Sequence, residues 1–296
     1  MTAVLPRSEV LRHVKRIELR TRRLVASLFS GEYRSVFRGH GIEFAEVRAY
    51  EQGDDYRAID WNVSARMGSP FVKTFMEERE LTLLLVVDRS GSVEFGEPTP
   101  KAQLAVEVAA VLALAAARQN DRVGALIFSD GIDHVVRPAK GRRHALRVIR
   151  DLLAFRPERR RTNLGTALTY SARLLRHRSI IVVISDFRAS EWEQPLLRLS
   201  RRHEAVAITV DDPREIELPD AGWIELEDAE TGGTLLVDTS HAATRTRIRI
   251  AAEQARIRRA RALAQAQVDH IALRTDRPYA QELHQAFARR ARRLSR

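Results

Sequence analysis

Five oxygen-bearing side chains are spaced so that they could share one divalent cation: Asp88, Ser90 and Ser92 in Asp88-Arg89-Ser90-Gly91-Ser92, then Thr162, then Asp186. Carboxylate and hydroxyl oxygens are hard ligands, the kind Mg2+ accepts at about 2.0–2.1 Å in near-octahedral geometry. Two serines two residues apart, on a turn leaving a strand, can aim both hydroxyls at one point. Asp88 and Asp186 then supply negative charge directly or through a bridging group. Protein oxygens need not fill every position around Mg2+ (or Mn2+). The open one can take a carboxylate from another protein, which makes the ion a shared binding element. Each residue also has a plainer reading. Asp and Ser are preferred helix caps, a helix follows soon after both Ser92 and Thr162, and Asp186 alone could be a strand-end carboxylate facing water.

The elements that must position these groups are legible from hydrophobic period. Continuous apolar runs predict strands over 81–87, 123–128, 180–185, 205–210 and 270–273, with an edge strand near 134–137. Helical periods predict helices over 102–119, 144–154, 164–175, 191–202 and 247–267, and from 279 onward. This alternation predicts an α/β fold with a central, mostly parallel sheet flanked by helices. Asp88 and Asp186 directly follow two of the strands, at the carboxyl ends where open α/β sheets bind ligands. Segments 223–227 and 234–237, joined across 229–233 with Gly232 and Gly233, read as a hairpin. The chain divides into 1–80, an N-terminal helix and a charged region, and 81–296, a sheet domain with a hairpin insertion near 223–238.

The charged region is dense in Glu43, Arg48, Asp54, Asp55, Arg57, Asp60, Trp61 and Arg66. Its mixed, closely spaced signs favour internal ion pairs over a repelling tail. We expect extended segments over 42–50 and 71–78, turns at Gly53 and Gly68, and an ion-pair cluster clamping the N-terminal element to the sheet in preference to a partner surface. Asp88-x-Ser90-x-Ser92 with Thr162 and Asp186 resembles the metal-ion-dependent adhesion site of von Willebrand factor A domains. That resemblance implies Ser90 and Ser92 as direct ligands and Thr162 as a ligand in the partner-bound state. Asp88 and Asp186 would act directly or through water. Gly41-x-Glu43-Phe44, Arg48-x-Tyr50, Gly53-Asp54-Asp55-x-Arg57-x-Ile59-Asp60-Trp61 and Ser64-Ala65-Arg66 resemble the signature of the bacterial domain-of-unknown-function 58 family. Val93 departs from that family's usual Met. The family resemblance implies a von Willebrand factor A-like fold and association with MoxR-type AAA+ ATPases. The chain would then be a non-enzymatic adaptor whose partner, the ATPase or its client, offers an acidic residue.

Composition narrows the alternatives. The 296 residues are 44% hydrophobic and 30% charged, which excludes wholesale disorder. There is no cysteine, so thiolate metal sites, disulfides and cysteine nucleophiles are excluded, and a cytoplasmic location is expected. The longest apolar stretch, 104–117, contains Glu107 and falls short of the ~20 residues of a membrane span. The N-terminus lacks the apolar block of a secretory leader. The net charge of +11 sits at the two ends: residues 1–40 hold 9 basic and 3 acidic side chains, and 241–296 hold 14 and 4. A helix expected over 8–28, stopped at Gly31, carries part of it. Nucleic-acid binding through these basic termini is an alternative, but no aromatic residues interleave with the arginines of the 8–28 helix to stack on bases. There is no phosphate-binding Gly-x-x-x-x-Gly-Lys-Ser/Thr loop and no Gly-x-Ser-x-Gly elbow, and His203-Glu204 is followed by Ala207 where a zinc helix needs histidine. A metal-dependent phosphohydrolase or phosphotransferase using Asp88 is the enzymatic alternative. It would need a second carboxylate and a lysine near Asp88, and the sequence shows neither beside it.

Overall fold

The computed structural model describes residues 12–19, 43–76, 81–96, 99–157 and 160–294. The remainder of the helix expected over 8–28, and its stop at Gly31, lie outside the described residues. The chain forms two compact units, one of Met1–Val36 with Thr82–Arg296 and one of Phe37–Leu81. Helix α1, residues 12–19, therefore groups with the sheet-bearing unit rather than with the charged region.

In the smaller unit, β1 (Glu43–Ala49) pairs antiparallel with β2 (Phe71–Met76), as the two extended segments predict. Between them lies a short helix, α2 (Trp61–Met67), that the sequence reading did not anticipate. Asp60 starts it by accepting hydrogen bonds from the Asn62 and Val63 amides, and Gly68 ends it in the left-handed conformation at φ 71°. Within this unit Arg48 and Asp54 form an ion pair, joined at 2.8 and 2.6 Å. Asp55 instead caps a single 3-10 turn through the Arg57 amide, and Arg57 lies over the Tyr56 ring. Trp61 and Arg66 are exposed. Glu43 is placed only by its backbone, opposite Met76.

The larger unit is built on β3 (Thr82–Asp88), β4 (Arg122–Phe128), β5 (Ile132–Ala139), β6 (Ile180–Ser185), β7 (Glu204–Asp211) and β10 (Asp269–Arg274). β8 (Trp223–Glu227) and β9 (Thr234–Asp238) form the separate hairpin. The sheet order is β10-β7-β6-β3-β4-β5, parallel throughout except for β5, which pairs antiparallel with β4 at the edge. β3, buried along nearly its whole length, is an apolar run because both of its faces are covered. Leu84 and Val86 face a core shared with helices α5 (Leu164–Leu174), α6 (Glu193–Arg202) and the end of α7 (Ala242–Gln265). Leu83, Leu85 and Val87, equally buried, point to the other face, where α3 (Lys101–Arg118) and α4 (Arg142–Ala154) pack on each other and on the sheet. Helix α8 (Tyr279–Leu294) packs on β10. The fold is therefore the α/β class expected. Helix α6 begins two residues later than its period suggests because Glu191 adopts φ 62°, which no right-handed helix contains.

His203, buried where α6 meets β7, has a depressed pKa, chiefly from burial and then from the nearby Arg202 charge. The unfolded chain therefore binds a proton below about pH 6.5 that the folded chain resists. Stability is full above that pH and is lost as the pH falls towards the lower folded value. Between pH 7.5 and 5.5 denaturant titrations are expected to show wild type losing stability relative to His203→Leu, a difference from which Asp88 cancels, since its pKa of about 7 contributes the opposite slope to both forms. His270 shifts in the same direction as His203 and cancels likewise. An identical slope in the variant would dismiss His203 as the source.

Candidate metal centre

In-register pairing of β3 with β4 and β6 sets Asp88 opposite Phe128 and Val87 opposite Ile184, so the strand ends are level and Ser185 falls beside Asp88. The Ser185 hydroxyl donates to Asp88 Oδ2 at 2.5 Å, and the Ser90 amide donates to Oδ1 at 2.9 Å. Asp88 is fully buried, and its pKa is pushed up to about 7, first by burial and then by the Asp186 charge, against the lowering effect of its hydrogen bonds to Ser185 and Ser90. Every donor to this carboxylate is uncharged. Ser90 stands at the N-cap position of a 3-10 turn, Gly91–Glu94, yet its hydroxyl makes no capping bond. Instead its Oγ lies 3.2 Å from Ser92 Oγ. Helix capping therefore does not account for the Ser90 hydroxyl.

Thr162 is not a cap either. Asn163 holds that place on α5, accepting from the Thr166 amide, while the Asn163 amide donates to the Ser129 carbonyl just past β4. The Thr162 hydroxyl donates to Glu230 Oε1 at 2.5 Å. The preceding loop closes on the serine turn, since the Gly91 amide donates to the Arg160 carbonyl at 2.7 Å. Asp186 is buried rather than facing water. Lys101 Nζ bonds its Oδ2 at 2.9 Å, and the Arg188 amide bonds its Oδ1 at 3.2 Å. Burial, the largest single influence, would raise the Asp186 pKa, but Lys101 together with the Arg188 charge and amide outweighs it and the net direction is down.

Four contributors were missed from sequence. Lys101, with no exposed surface, bonds both Asp186 and Glu215, the latter at 2.7 Å. Burial lowers its pKa, but the two carboxylates outweigh burial and the net direction is up. Arg89, inside the motif, is also buried and ties the turn to α4 through the Leu152 carbonyl. Ser185 and Glu230 complete the set. Asp186, expected at this centre, acts on Asp88 electrostatically, and Lys101, the lysine that the sequence did not show beside Asp88, bonds Asp186. That lysine is committed to two carboxylates.

Among the described residues no cluster of three His, Cys, Asp or Glu side chains forms a metal site, so any cation here would depend on hydroxyls. Residues 46–258 match the family described as Protein of unknown function DUF58. The chain belongs to this family. The DUF58 chain is 36% identical over 223 residues to the uncharacterized protein Rv1480 of Mycobacterium tuberculosis, covering 74% of its own length and 70% of that protein. The match to the uncharacterized protein Mb1516 of Mycobacterium bovis has the same values. Among solved structures, the DUF58 chain is similar to the conserved hypothetical protein BatB from Bacteroides thetaiotaomicron, at 13% identity and TM-score 0.47 over 72% of this chain and 99% of that one. It is also similar to the SpRpn10 VWA domain, at 18% identity and TM-score 0.35 over 45% and 76%. At these scores the likeness says nothing about chemistry.

Proposed function

We propose that this DUF58 protein is a non-enzymatic, cation-dependent protein interaction module. Ser90, Ser92 and Thr162 would offer hydroxyl oxygens to Mg2+ (or Mn2+), Asp88 would offer charge, and an acidic side chain of a partner would complete the set. The observation that carries this reading is the pair of Ser90 and Ser92 hydroxyls, 3.2 Å apart, beside a buried carboxylate with only neutral donors. A buried carboxylate is costly unless paired. A divalent ion would supply the positive charge that no side chain gives Asp88. Asp186, already held by Lys101, would set the local field and act through water rather than lose its lysine. Family membership makes a MoxR-type AAA+ ATPase, or its client, the partner class to try first. The absence of cysteine fits a reducing cytoplasm, and among the described residues no helix is long and apolar enough to cross a membrane.

Several C-terminal arginines are engaged internally: Arg259 with Asp211, Arg290 with Glu204 and Asp269, and Arg274 with Asp276. This leaves less of the basic charge for phosphate. Calorimetric titration of Mn2+ into the full chain is expected to show one site, and Ser90→Ala to weaken it by roughly ten- to a hundredfold without unfolding the protein. Partner capture should disappear in EDTA. Turnover of a generic phosphoester with Mg2+, lost in Asp88→Asn, would replace this reading with the enzymatic one. Salt-sensitive retention on nucleic acid that survives EDTA would replace it with the other.

A further inference from the structure

The tip of the β8–β9 hairpin presents a carboxylate to the candidate metal centre. Glu230 is half-buried, and its Oε1 accepts the Thr162 hydroxyl at 2.5 Å. A hydroxyl that donates its one hydrogen to a carboxylate still has its lone pairs free for a cation. Thr162 and Glu230 are thus arranged as two oxygens that could face the same ion. The tip is built to hold this pose. Asp228 Oδ1 accepts the Glu230 amide at 3.0 Å, Asp228 Oδ2 accepts the Thr231 hydroxyl at 2.6 Å, and the Asp228 amide donates to the Gly233 carbonyl at 2.7 Å. Two further contacts pin the hairpin to the site. Arg160 bonds Glu227 at 3.0 Å, and the Ala229 carbonyl lies so close over Gly91 that no side chain fits between them. Like Asp88, Glu230 has uncharged donors only.

We propose that Glu230 is a built-in ligand of this centre, holding the position that a partner's acidic side chain would otherwise take, so that a partner must displace the hairpin tip to engage. This rests on the reading of the site as cation-dependent. It adds one protein carboxylate to the donors and makes the exchange of an internal for an external carboxylate the binding event. Such an exchange is near-balanced, because one carboxylate replaces another, and its selectivity then comes from what else the partner touches.

The probe is Mn2+ alone, titrated into the full chain in wild-type, Glu230→Ala and Ser90→Ala forms, with and without excess acetate. Amide exchange over 228–233 is followed in parallel. Wild type is expected to bind Mn2+ and gain protection at the hairpin tip. Glu230→Ala should bind roughly ten- to a hundredfold more weakly, and acetate should restore much of that loss while leaving wild type unchanged. Weaker binding that acetate does not rescue would make Glu230 a mere brace for Thr162 and overturn the proposal. So would Glu230→Ala binding as tightly as wild type. In either case loss of binding in Ser90→Ala would leave the metal centre standing. If wild type takes up no Mn2+, the centre and the proposal fall together.

Discussion

Replacing Lys101 with methionine is expected to destabilise the protein by about 3–5 kcal/mol, the usual cost of leaving buried charges without their partner. The side chain has no exposed surface, and its ammonium is shared between Asp186 and Glu215 at 2.9 and 2.7 Å. Methionine fills the volume but supplies no charge. Glu215 keeps Arg188 at 2.9 Å, whereas Asp186 is left buried with backbone amide support and the repulsion of Asp88. Equilibrium denaturation reads the loss directly. Pairing the change with Asp186→Asn should recover part of it, because the double variant removes the most exposed consequence of the first. A single variant within about 1 kcal/mol of wild type would mean that water enters and screens these carboxylates, contrary to the packing described.

Gly91→Ala is expected to cost about 1–3 kcal/mol and to loosen the hairpin while leaving the sheet intact. The glycine is needed here for close approach. An added Cβ would land on the Ala229 carbonyl oxygen, with the Arg160 carbonyl oxygen 3.2 Å away, and both are backbone atoms that cannot rotate aside. The cheapest relief is for the tip to lift, which breaks the Thr162 to Glu230 bond. Faster proteolysis between 228 and 233, with far-ultraviolet circular dichroism unchanged, would report it. Hairpin protection equal to wild type would show that the turn carrying Ser90 moves instead.

How much of this was readable in the sequence follows from the range of each interaction. β3 and β6 announce themselves as apolar runs ending in Asp88 and in Ser185-Asp186, because both faces of an inner parallel strand need apolar residues. The hairpin shows in its glycines. The partners of the site were hidden, since Lys101 reaches Asp186 across 85 positions and Thr162 reaches Glu230 across 68. No local pattern encodes such a pairing. Lys101 did leave one trace: a cation in the first turn of a helix opposes the helix dipole, which favours anions there. On an otherwise apolar face, that misfit marks a buried acidic partner. The acids of the charged region misled in the other direction, since Asp55 and Asp60 resemble members of an ion cluster but act as helix caps.

The order of strands in the sheet also bears on how the molecule matures. β3, which delivers Asp88 and the serine turn, is made early in the chain, while its neighbour β6 and the loop with Thr162 come long after it, and the hairpin later still. Parallel neighbours of this kind meet only through distant crossovers, which form slowly. The groups around the Asp-Ser-Ser turn are therefore brought together only by long-range pairings made after the chain through the hairpin has been synthesised, and their assembly is expected among the slower steps of folding.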